Sequence, residues 1–453
     1  MNYRSPDRRS DPRRRRQMRL GVFVQPPGHH VAGWRHPEAV AGGPNLTLMK
    51  HIAKTAERGK FDMFFLGDGF ATGYGEHPST IGKFEPLTLL SALAMGTSRL
   101  GLAATASTTY AEPYHVARGF ASLDHLSGGR AAWNVVTTAY AKSAAVFGRQ
   151  HPPHAERYAM AEEFVEACRI LWDSWDDDAF VADKASGRFV RPGSLHVPHF
   201  KGKYFAIDGG LNVPRPPQGH PVLIQAGSSG PGQALAARIA DVVFTAQNDL
   251  DAARAFYDGL KAQVAGHGRP PESVLVMPGV FPVVGRAKAE AEAIFADLNH
   301  NIEMTTAFTV LSERLGTDMS GHPLDEPLPD LPETEHLKSR AALLLEMARR
   351  DKLTLRQLFY RVAAARGHLL LVGAPAQIAD VLETWFRSGA ADGFNIMPPF
   401  FPGQFDSFVD LVVPILQERG LFRTDYSGLT LRDHLGLRRP ANIHATRSQD
   451  LAK

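Results

Sequence analysis

The chain has 453 residues, of which 44% are hydrophobic and 21% charged, and its formal net charge is +3. No apolar run approaches the roughly 20 residues of a membrane span, and the arginine-rich N-terminus lacks the apolar segment of a secretory signal. We therefore expect a soluble, cytoplasmic protein whose single cysteine, Cys168, forms no intrachain disulfide and packs in a helix as a small hydrophobic residue.

The positive charge is concentrated at the N-terminus. Residues 1–19 hold eight arginines against Asp7 and Asp11, a net charge of +6, which leaves −3 for the rest of the chain. Clustered like charges among Pro, Ser and Asp favour a solvated extension over a nucleic-acid-binding arm. We expect a disordered basic tail over 1–18 and a polar C-terminal tail over 441–453. The rival hypothesis, nucleic-acid binding, predicts that deleting the basic tail abolishes function.

Eight short apolar segments predict β-strands. Most lack the alternation of a half-exposed strand, which is typical of strands buried on both faces of a parallel sheet. They are residues 19–25, 61–68, 99–107, 130–137, 221–227, 240–247, 274–285 and 392–399.

Eight amphipathic segments between these strands predict helices. In one of them, Met160, Phe164, Leu171 and Trp175 recur at helical spacing and define a single buried stripe. The alternation of strands and helices favours a (β/α)8 TIM barrel, with an open doubly wound sheet as the alternative. The helices are predicted at Leu46–Arg58, Pro86–Met95, Pro113–Leu126, Arg157–Trp175, Gly232–Ala240, Leu250–Gly266, Ala376–Ser388 and Phe405–Arg419.

Two segments do not fit the repeat of strand and helix. Residues 176–220 are rich in Pro, Gly and His, and residues 286–372 combine helical stretches with the proline-rich sequence PLDEPLPDLP. Insertions of this size in a barrel usually cover the active-site mouth or form a subunit contact. We therefore predict one catalytic barrel domain over 19–440, with long insertions that act as lids.

Polar residues at the ends of the second, third and fourth predicted strands are candidate ligand contacts. Asp68 ends the second strand between two glycines, Thr105 and Thr108 end the third, and Asn134 lies in the fourth. The carboxyl ends of barrel strands carry active sites, and an amide can bond the edge of a heteroaromatic ring. Alternatively, Asp68 is a helix cap and the threonines serve strand packing.

A phosphate-binding site is predicted around two helix starts. His154 and Tyr158 lie four residues apart on one helical face, and Ser228 and Ser229 fall within QAGSSGPG, where the fifth strand meets the next helix. Small residues and N–H groups at the positive end of a helix dipole suit a phosphate. The pattern is neither a nucleotide P-loop nor GxGxxG, and an ordinary strand-to-helix turn is the alternative.

The segment QPPGHHVAGWRH follows the first strand. Adjacent histidines lack the spacing of a helical zinc site and no cysteine or carboxylate completes a ligand set nearby, so we predict no metal. His30 is a candidate general acid or base, with Trp34 as an apolar wall. Histidines with a purely structural role in a long loop are the competing interpretation.

Eight motifs occur in order between about Arg19 and Pro440. They are FDMFFLGDG, STTYAEPYHVAR, LDHLSGGRAAWNVVT, RYAMAEEFVEACRILWDSW, QAGSSGPG, PAQIADVLETWF, ADGFNIMPP and LFRTDYSGLTLRDHLGL. Together they resemble the nitrilotriacetate monooxygenase component A branch of the luciferase-like flavin monooxygenases, with the dibenzothiophene-sulfone and long-chain alkane monooxygenases.

This resemblance implies a TIM barrel that uses reduced FMN, supplied by a separate NAD(P)H-dependent flavin reductase, to activate dioxygen as a flavin (hydro)peroxide. One oxygen atom would enter a small aminopolycarboxylate, organosulfur or alkane substrate, and the protein would be a homodimer or homotetramer. Family FMN contacts map onto Asp68, Thr108 with Thr105 in reserve, Asn134, His154, Tyr158 and Ser228–Ser229. Tyr74 is a candidate for the substrate pocket. A deazaflavin-dependent hydride-transfer enzyme on the same barrel is the alternative.

Overall fold

Thirteen strands are present in the computed structural model, which describes residues 16–70, 77–78, 81–329, 331 and 338–445. In chain order they are β1 (Arg19–Val24), β2 (Met63–Leu66), β3 (Gly101–Ser107), β4 (Ala131–Val136), β5 (Phe180–Asp183), β6 (Arg188–Val190), β7 (His199–Lys201), β8 (Ala206–Asp208), β9 (Val222–Gln225), β10 (Val242–Thr245), β11 (Leu275–Val284), β12 (Leu369–Gly373) and β13 (Gly393–Ile396).

Eight of these strands close into a parallel barrel. The neighbours run β1–β2–β3–β4–β9–β10–β11–β13, and β13 pairs with β1 to complete the ring. Each of the eight predicted strands supplies one member, so the predicted (β/α)8 barrel is confirmed and the open sheet is wrong. β12 lies outside the ring, where it pairs in parallel with the C-terminal half of β11.

Helices alternate with the barrel strands. The helices predicted at Leu46–Arg58 and Leu250–Gly266 have the observed bounds, and the fourth predicted helix begins three residues earlier, at His154. The π-helical segment Phe408–Val412 joins α13 to α14. The helices are α1 (Leu46–Arg58), α2 (Pro86–Ala94), α3 (Pro113–Ser127), α4 (Ser143–Val146), α5 (His154–Trp172), α6 (Gly230–Ile239), α7 (Leu250–Gly266), α8 (Lys288–His300), α9 (Met304–Leu315), α10 (Lys338–Arg350), α11 (Leu355–Ala365), α12 (Pro375–Arg387), α13 (Gly403–Ser407), α14 (Val413–Glu418) and α15 (Leu431–Leu435).

Successive strand residues divide between two buried layers, as the period of two requires. In β2, Met63 and Phe65 belong to the cluster that fills the barrel, whereas Phe64 and Leu66 belong to the larger cluster between strands and helices. Both faces are therefore apolar, which explains why the sequence shows no alternation. Cys168 is fully buried in the outer layer, as predicted.

The N-terminal end of the barrel is closed by the C-terminal segment of the chain. Leu431, Leu435 and Leu437 pack into the same inner cluster as the strand residues Met63 and Val242. Carboxylates complete this end by accepting N–H groups where strands begin: Asp62 from Leu20, Asp124 from Ala131, Asp241 from Leu223 and Asp392 from Val276. A ligand must therefore enter from the opposite end, at the carboxyl ends of the strands.

The two insertions have different structures. Residues 176–220 contain two antiparallel hairpins, β5–β6 and β7–β8. In the second insertion, α9, α10 and α11 form an apolar cluster of their own, which also includes Val31 and Ala32 from the loop after β1. This insertion therefore packs against a loop at the open end of the barrel.

Both terminal segments contact the barrel domain at their inner ends. Arg16 donates a hydrogen bond to the Ala391 carbonyl at 2.9 Å, and Met18 is fully buried. Near the other terminus, the Asn442 amide donates to the Trp175 carbonyl at 2.8 Å. Residues 1–15 and 446–453, the greater part of the predicted tails, lie outside the described residues.

Candidate active site

The predicted cofactor-binding residues occupy four neighbouring strands and their connections. Asp68 follows β2, Thr105 and Thr108 lie on or just after β3, and Asn134 lies on β4. Ser228 and Ser229 follow β9, while His154 and Tyr158 begin the helix between β4 and β9. Since β2, β3, β4 and β9 are consecutive in the barrel and parallel, these groups are all at one side of its open end.

A directed chain of hydrogen bonds crosses β2, β3 and β4 inside this end. The Asn134 amide nitrogen donates to the Thr105 hydroxyl at 2.9 Å, and that hydroxyl donates to the Leu66 carbonyl at 2.8 Å. Asn134 is 4% exposed, and its side-chain oxygen is buried without a hydrogen-bond partner. A buried acceptor of this kind normally has a donor, so it suits a ligand that presents an N–H group.

Of the two candidate threonines, Thr105 bonds the Asn134 amide and Thr108 does not. The fully buried Thr108 hydroxyl is bonded to the Val136 carbonyl at 3.2 Å, so it serves the joint between β3 and β4. Because side chains alternate along a strand, Thr105 shares the inward orientation of Ala103, a member of the inner cluster. Of the two threonines, Thr105 therefore lies beside the Asn134 amide, and its role as a cofactor contact stays a prediction.

The turn after β9 leaves no room for a side chain at Gly227. A Cβ there would lie 2.5 Å from the Gln225 amide nitrogen and 3.0 Å from both Gly232 Cα and the Tyr158 hydroxyl. Ser229 is the N-cap of α6, and its hydroxyl accepts the Gly232 N–H at 3.3 Å. The turn, the helix N-terminus and the Tyr158 phenol therefore meet at one place, as the sequence predicts for an anion site.

The first turn of α5 adds a guanidinium to this region. His154 and Tyr158 share a helical face, with ring centroids 4.9 Å apart. Between them, Arg157 is 6% exposed and donates to the Thr137 and Thr138 carbonyls at 3.2 and 2.5 Å. Its Nε is buried with no partner. A buried cationic donor beside a helix N-terminus strengthens the case for an anionic group.

Asp68 forms an ion pair with Lys83, whose Nζ lies 3.1 Å from the carboxylate. Lys83 lies near the end of the connection between β2 and α2, so this ion pair joins the two ends of that connection. Asp68 thus lies where a cofactor contact was predicted and also takes part in holding the loop, so its position fits both interpretations drawn from the sequence.

The predicted catalytic residues are less closely grouped. His30 is 1% exposed; its Nδ1 accepts the Ala32 N–H at 3.1 Å, and its Nε2 donates to the Asn299 amide oxygen at 3.3 Å. Burial lowers the pKa of His30 to about 4. Trp34, in contrast, is 45% exposed, so nearly half of its surface faces solvent. Tyr74 lies outside the described residues.

A second polar group at the open end was not anticipated from the sequence. Arg366, just after α11, donates to the Gln25 amide oxygen at 2.9 Å and to Nδ1 of the buried His29. The His29 Nε2 donates to the Phe23 carbonyl at 2.7 Å, which fixes its tautomer. The segment ARGH carries no functional signature and fell within the predicted insertion, so only the tertiary structure reveals this contact.

A cavity of about 610 Å³ opens outside the barrel wall between α8, α11 and β12. Phe295, Tyr360 and Val372 supply apolar walls, and Asn299, the partner of His30, is also part of its lining. Among the described residues, no helix is long and apolar enough to cross a membrane, and no group of three metal-ligating side chains is assembled.

Known proteins resemble this chain in both sequence and fold. The model of the luciferase-like monooxygenase family matches residues 18–392. The N-acetyl-S-(2-succino)cysteine monooxygenase of Bacillus subtilis is 51% identical over 437 residues, covering 95% of this chain and 99% of the relative. Nitrilotriacetate monooxygenase component A of Aminobacter aminovorans is 47% identical over 445 residues, covering 94% and 98%. A riboflavin lyase solved with modified FMN is 30% identical, with a TM-score of 0.82 and coverage of 94% and 97%.

Proposed function

Because this chain belongs to the luciferase-like monooxygenase family, we propose that it is the oxygenase of a two-component system that uses reduced FMN. One atom of dioxygen enters a small organic substrate and the other leaves as water. A separate NAD(P)H-dependent flavin reductase supplies the reduced FMN, and the substrate belongs to the aminopolycarboxylate, organosulfur or alkane classes.

The residues at the open end fit FMN. The observation that most supports FMN binding is the side-chain oxygen of Asn134, which is buried without a hydrogen-bond partner. Such an acceptor in the barrel suits an N–H group on the edge of the isoalloxazine ring. The turn at Gly227, the N-terminus of α6, Tyr158 and Arg157 suit the phosphate, since they combine close backbone approach, N–H donors and a cation. Ser228 and Ser229 belong to the same turn.

Reduced FMN supplies the electrons that activate dioxygen, and the protein supplies binding, orientation and exclusion of water. Thr105 fixes the Asn134 amide, so that its oxygen is presented in one orientation. The apolar cluster of α9, α10 and α11 packs on Val31 and Ala32 of the loop after β1, and in this proposal it limits the access of water to the open end. Exclusion of water matters because it limits unproductive decay of the activated oxygen.

His30 is the candidate for handling a proton. With a pKa of about 4 it is neutral near pH 7, where its Nε2–H acts as a hydrogen-bond donor. Replacing His30 with glutamine should therefore lower coupled oxygenation more than flavin binding. Equal losses in both would indicate that His30 only supports the loop.

The test of the proposed function combines the protein with a flavin reductase, FMN and NADH. We expect substrate-dependent oxygen consumption and incorporation of one 18O atom from labelled dioxygen into the product. Candidate substrates are nitrilotriacetate, N-acetyl-S-(2-succino)cysteine, dibenzothiophene sulfone and a long-chain alkane. Oxygen-independent turnover with a reduced deazaflavin would refute the proposal in favour of hydride transfer.

The FMN site is tested separately by anaerobic titration with reduced FMN. Tyr158→Ala, or alanine at both Ser228 and Ser229, should weaken binding by roughly 1–3 kcal/mol, the scale of a lost charge-assisted hydrogen bond. Unchanged affinity would remove those residues from the site.

A further inference from the structure

We propose that Gln233, in the first turns of α6, is a positioning residue for the phosphate of FMN, because it fixes the orientation of the Ser229 N–H. This inference rests on the proposed function, since it concerns how the same site recognises its cofactor. It depends on which groups of the turn after β9 are already bonded and on the geometry of the peptide bond.

The start of α6 offers few N–H groups to an anion. Pro231 has none, and the Gly232 N–H is bonded to the Ser229 hydroxyl at 3.3 Å. The Gln233 N–H donates to the Ser229 carbonyl at 2.8 Å, which begins the regular helical pattern. An anion at this end therefore depends on the N–H groups that come before these positions, and the Ser229 N–H is one of them.

Gln233 is bonded to two successive carbonyl groups of the turn. Its side-chain nitrogen donates to the Ser228 carbonyl at 3.0 Å, and its backbone N–H donates to the Ser229 carbonyl. In a planar trans peptide the carbonyl and the N–H point in opposite directions. Because the Ser228 carbonyl faces Gln233, the N–H of the same peptide, which belongs to Ser229, points away from Gln233.

The side chain of Gln233 replaces a bond that the helix itself does not make. In a helix extended by one residue, the Ser228 carbonyl would accept the Gly232 N–H, but the Ser229 hydroxyl accepts that N–H instead. The Gln233 amide takes its place. Loss of this bond would let the peptide between Ser228 and Ser229 rotate, and a carbonyl oxygen turned towards a phosphate would repel it. In this proposal Gln233 thus acts through the peptide rather than by touching the cofactor.

The beginning of the same turn is fixed by a second glutamine. Gln225, at the end of β9, is 3% exposed, and its side-chain oxygen accepts the Gly227 N–H at 2.7 Å. The turn is therefore held by a glutamine at each end, at one end through an N–H group and at the other through two carbonyl groups. Donors that are already oriented before the ligand arrives bind it more tightly, since binding does not have to order them.

The side chains around the turn suit a phosphate. The Tyr158 hydroxyl lies 3.0 Å from the position that a Cβ on Gly227 would take. Arg157, one residue earlier on α5, is 6% exposed, and its Nε is buried without a hydrogen-bond partner. A phenol, a guanidinium and an oriented N–H are all donors to an anion. The turn should therefore recognise FMN by its phosphate, which riboflavin, with the same ring, lacks.

The test compares these two flavins, which differ only in the phosphate. Reduced FMN and reduced riboflavin are titrated anaerobically into wild type, Gln233→Met and Gln233→Glu. Wild type should bind FMN roughly tenfold or more tightly than riboflavin. Gln233→Met keeps the length, the neutrality and the helix propensity of glutamine, and it should weaken FMN binding roughly tenfold while riboflavin binding stays within about twofold of wild type. Gln233→Glu cannot donate to the Ser228 carbonyl and adds a negative charge, so it should lose at least as much affinity for FMN.

Gln377→Met is the matched control. Gln377 also lies near the start of a helix, α12, where its side-chain oxygen accepts the Ala374 N–H at 3.0 Å. This variant removes a glutamine side-chain bond of the same kind on a helix that does not follow β9. It should bind both flavins within about twofold of wild type, and thermal melts check that all variants fold.

Three results would overturn the positioning role: equal binding of the two flavins by wild type, an unchanged FMN affinity of Gln233→Met, or an equal loss of FMN and riboflavin in that variant. The last would indicate a general effect on the fold. All three leave the proposed function standing, since it fails on a different measurement, the substrate-dependent consumption of dioxygen with a flavin reductase. Wild type that binds neither reduced flavin would refute both.

Discussion

Replacing Gly227 with alanine tests whether the turn after β9 is the phosphate cradle. The added Cβ would lie 2.5 Å from the Gln225 amide nitrogen, which can rotate away, but also 3.0 Å from Gly232 Cα, which is backbone. Ordinary carbon contacts are about 3.5–4.0 Å, so Gly232 or the turn must move by roughly 0.5 Å. Displacement of the Tyr158 hydroxyl, also 3.0 Å away, should weaken phosphate binding by about 1–3 kcal/mol, the scale of a lost charge-assisted hydrogen bond.

In the assay, reduced FMN is titrated anaerobically into wild type, Gly227→Ala and Gly230→Ala. A cost of 1–3 kcal/mol raises Kd roughly five- to 150-fold, and we expect Gly227→Ala to fall in this range. Gly230 lies in the same turn, and no atom lies within 4 Å of the position that an added methyl group would take, so its variant should bind within twofold of wild type. If Gly227→Ala binds as tightly as wild type, or both variants lose affinity equally, the assignment of the cradle is refuted.

Three further predictions concern the residues proposed to bind the isoalloxazine ring and the stability of the barrel. Asn134→Leu should weaken the binding of reduced FMN roughly tenfold by removing the buried acceptor, a loss of about 1–1.5 kcal/mol. Thr108→Val should change the Kd for reduced FMN by less than about threefold. Equal effects of the two variants in the same titration would contradict the assignment of Asn134 to the flavin ring. Arg432 is buried, and Arg432→Met leaves the largely buried Asp241, 2.9 Å from its guanidinium and 15% exposed, without this cation. We expect the free energy of unfolding in urea to fall by about 3 kcal/mol, the lower end of the cost of breaking a buried pair. The control is Arg439→Met, which removes a half-exposed ion pair with Asp177 and should lower the free energy of unfolding by less than about 1 kcal/mol. A similarly small loss in both variants would show that the pair of Arg432 and Asp241 is dispensable. Burial lowers the pKa of His30 to about 4, so His30 is protonated at a higher pH in the unfolded chain than in the folded protein. The free energy of unfolding should therefore fall as the pH drops from about 6.5 towards 4, by up to about 1.4 kcal/mol per pH unit for this residue. Urea unfolding of His30→Gln at several pH values should show a shallower slope, and an unchanged slope would count against the lowered pKa.

The sequence by itself determined the order and type of the barrel elements. The strands at 61–68 and 130–137 could be recognised because burial on both faces leaves continuous apolar runs, and α1 could be recognised from its amphipathic pattern. The turn QAGSSGPG was likewise legible, since glycine and serine before a helix are a local signal for close backbone approach. Such features depend on residues within a few positions of one another.

Only the tertiary structure decided which polar side chains meet. Thr105 and Thr108 are equivalent as sequence, and the register of β3 against β4 makes Thr105 the partner of Asn134 while Thr108 bonds the Val136 carbonyl. Arg366 and Gln25 are 341 residues apart, so no local pattern relates them. Their contact exists because the helical insertion packs on the loop after β1. β1 itself is held in place by pairing with β13, and this closure of the ring is a property of the whole chain rather than of any segment.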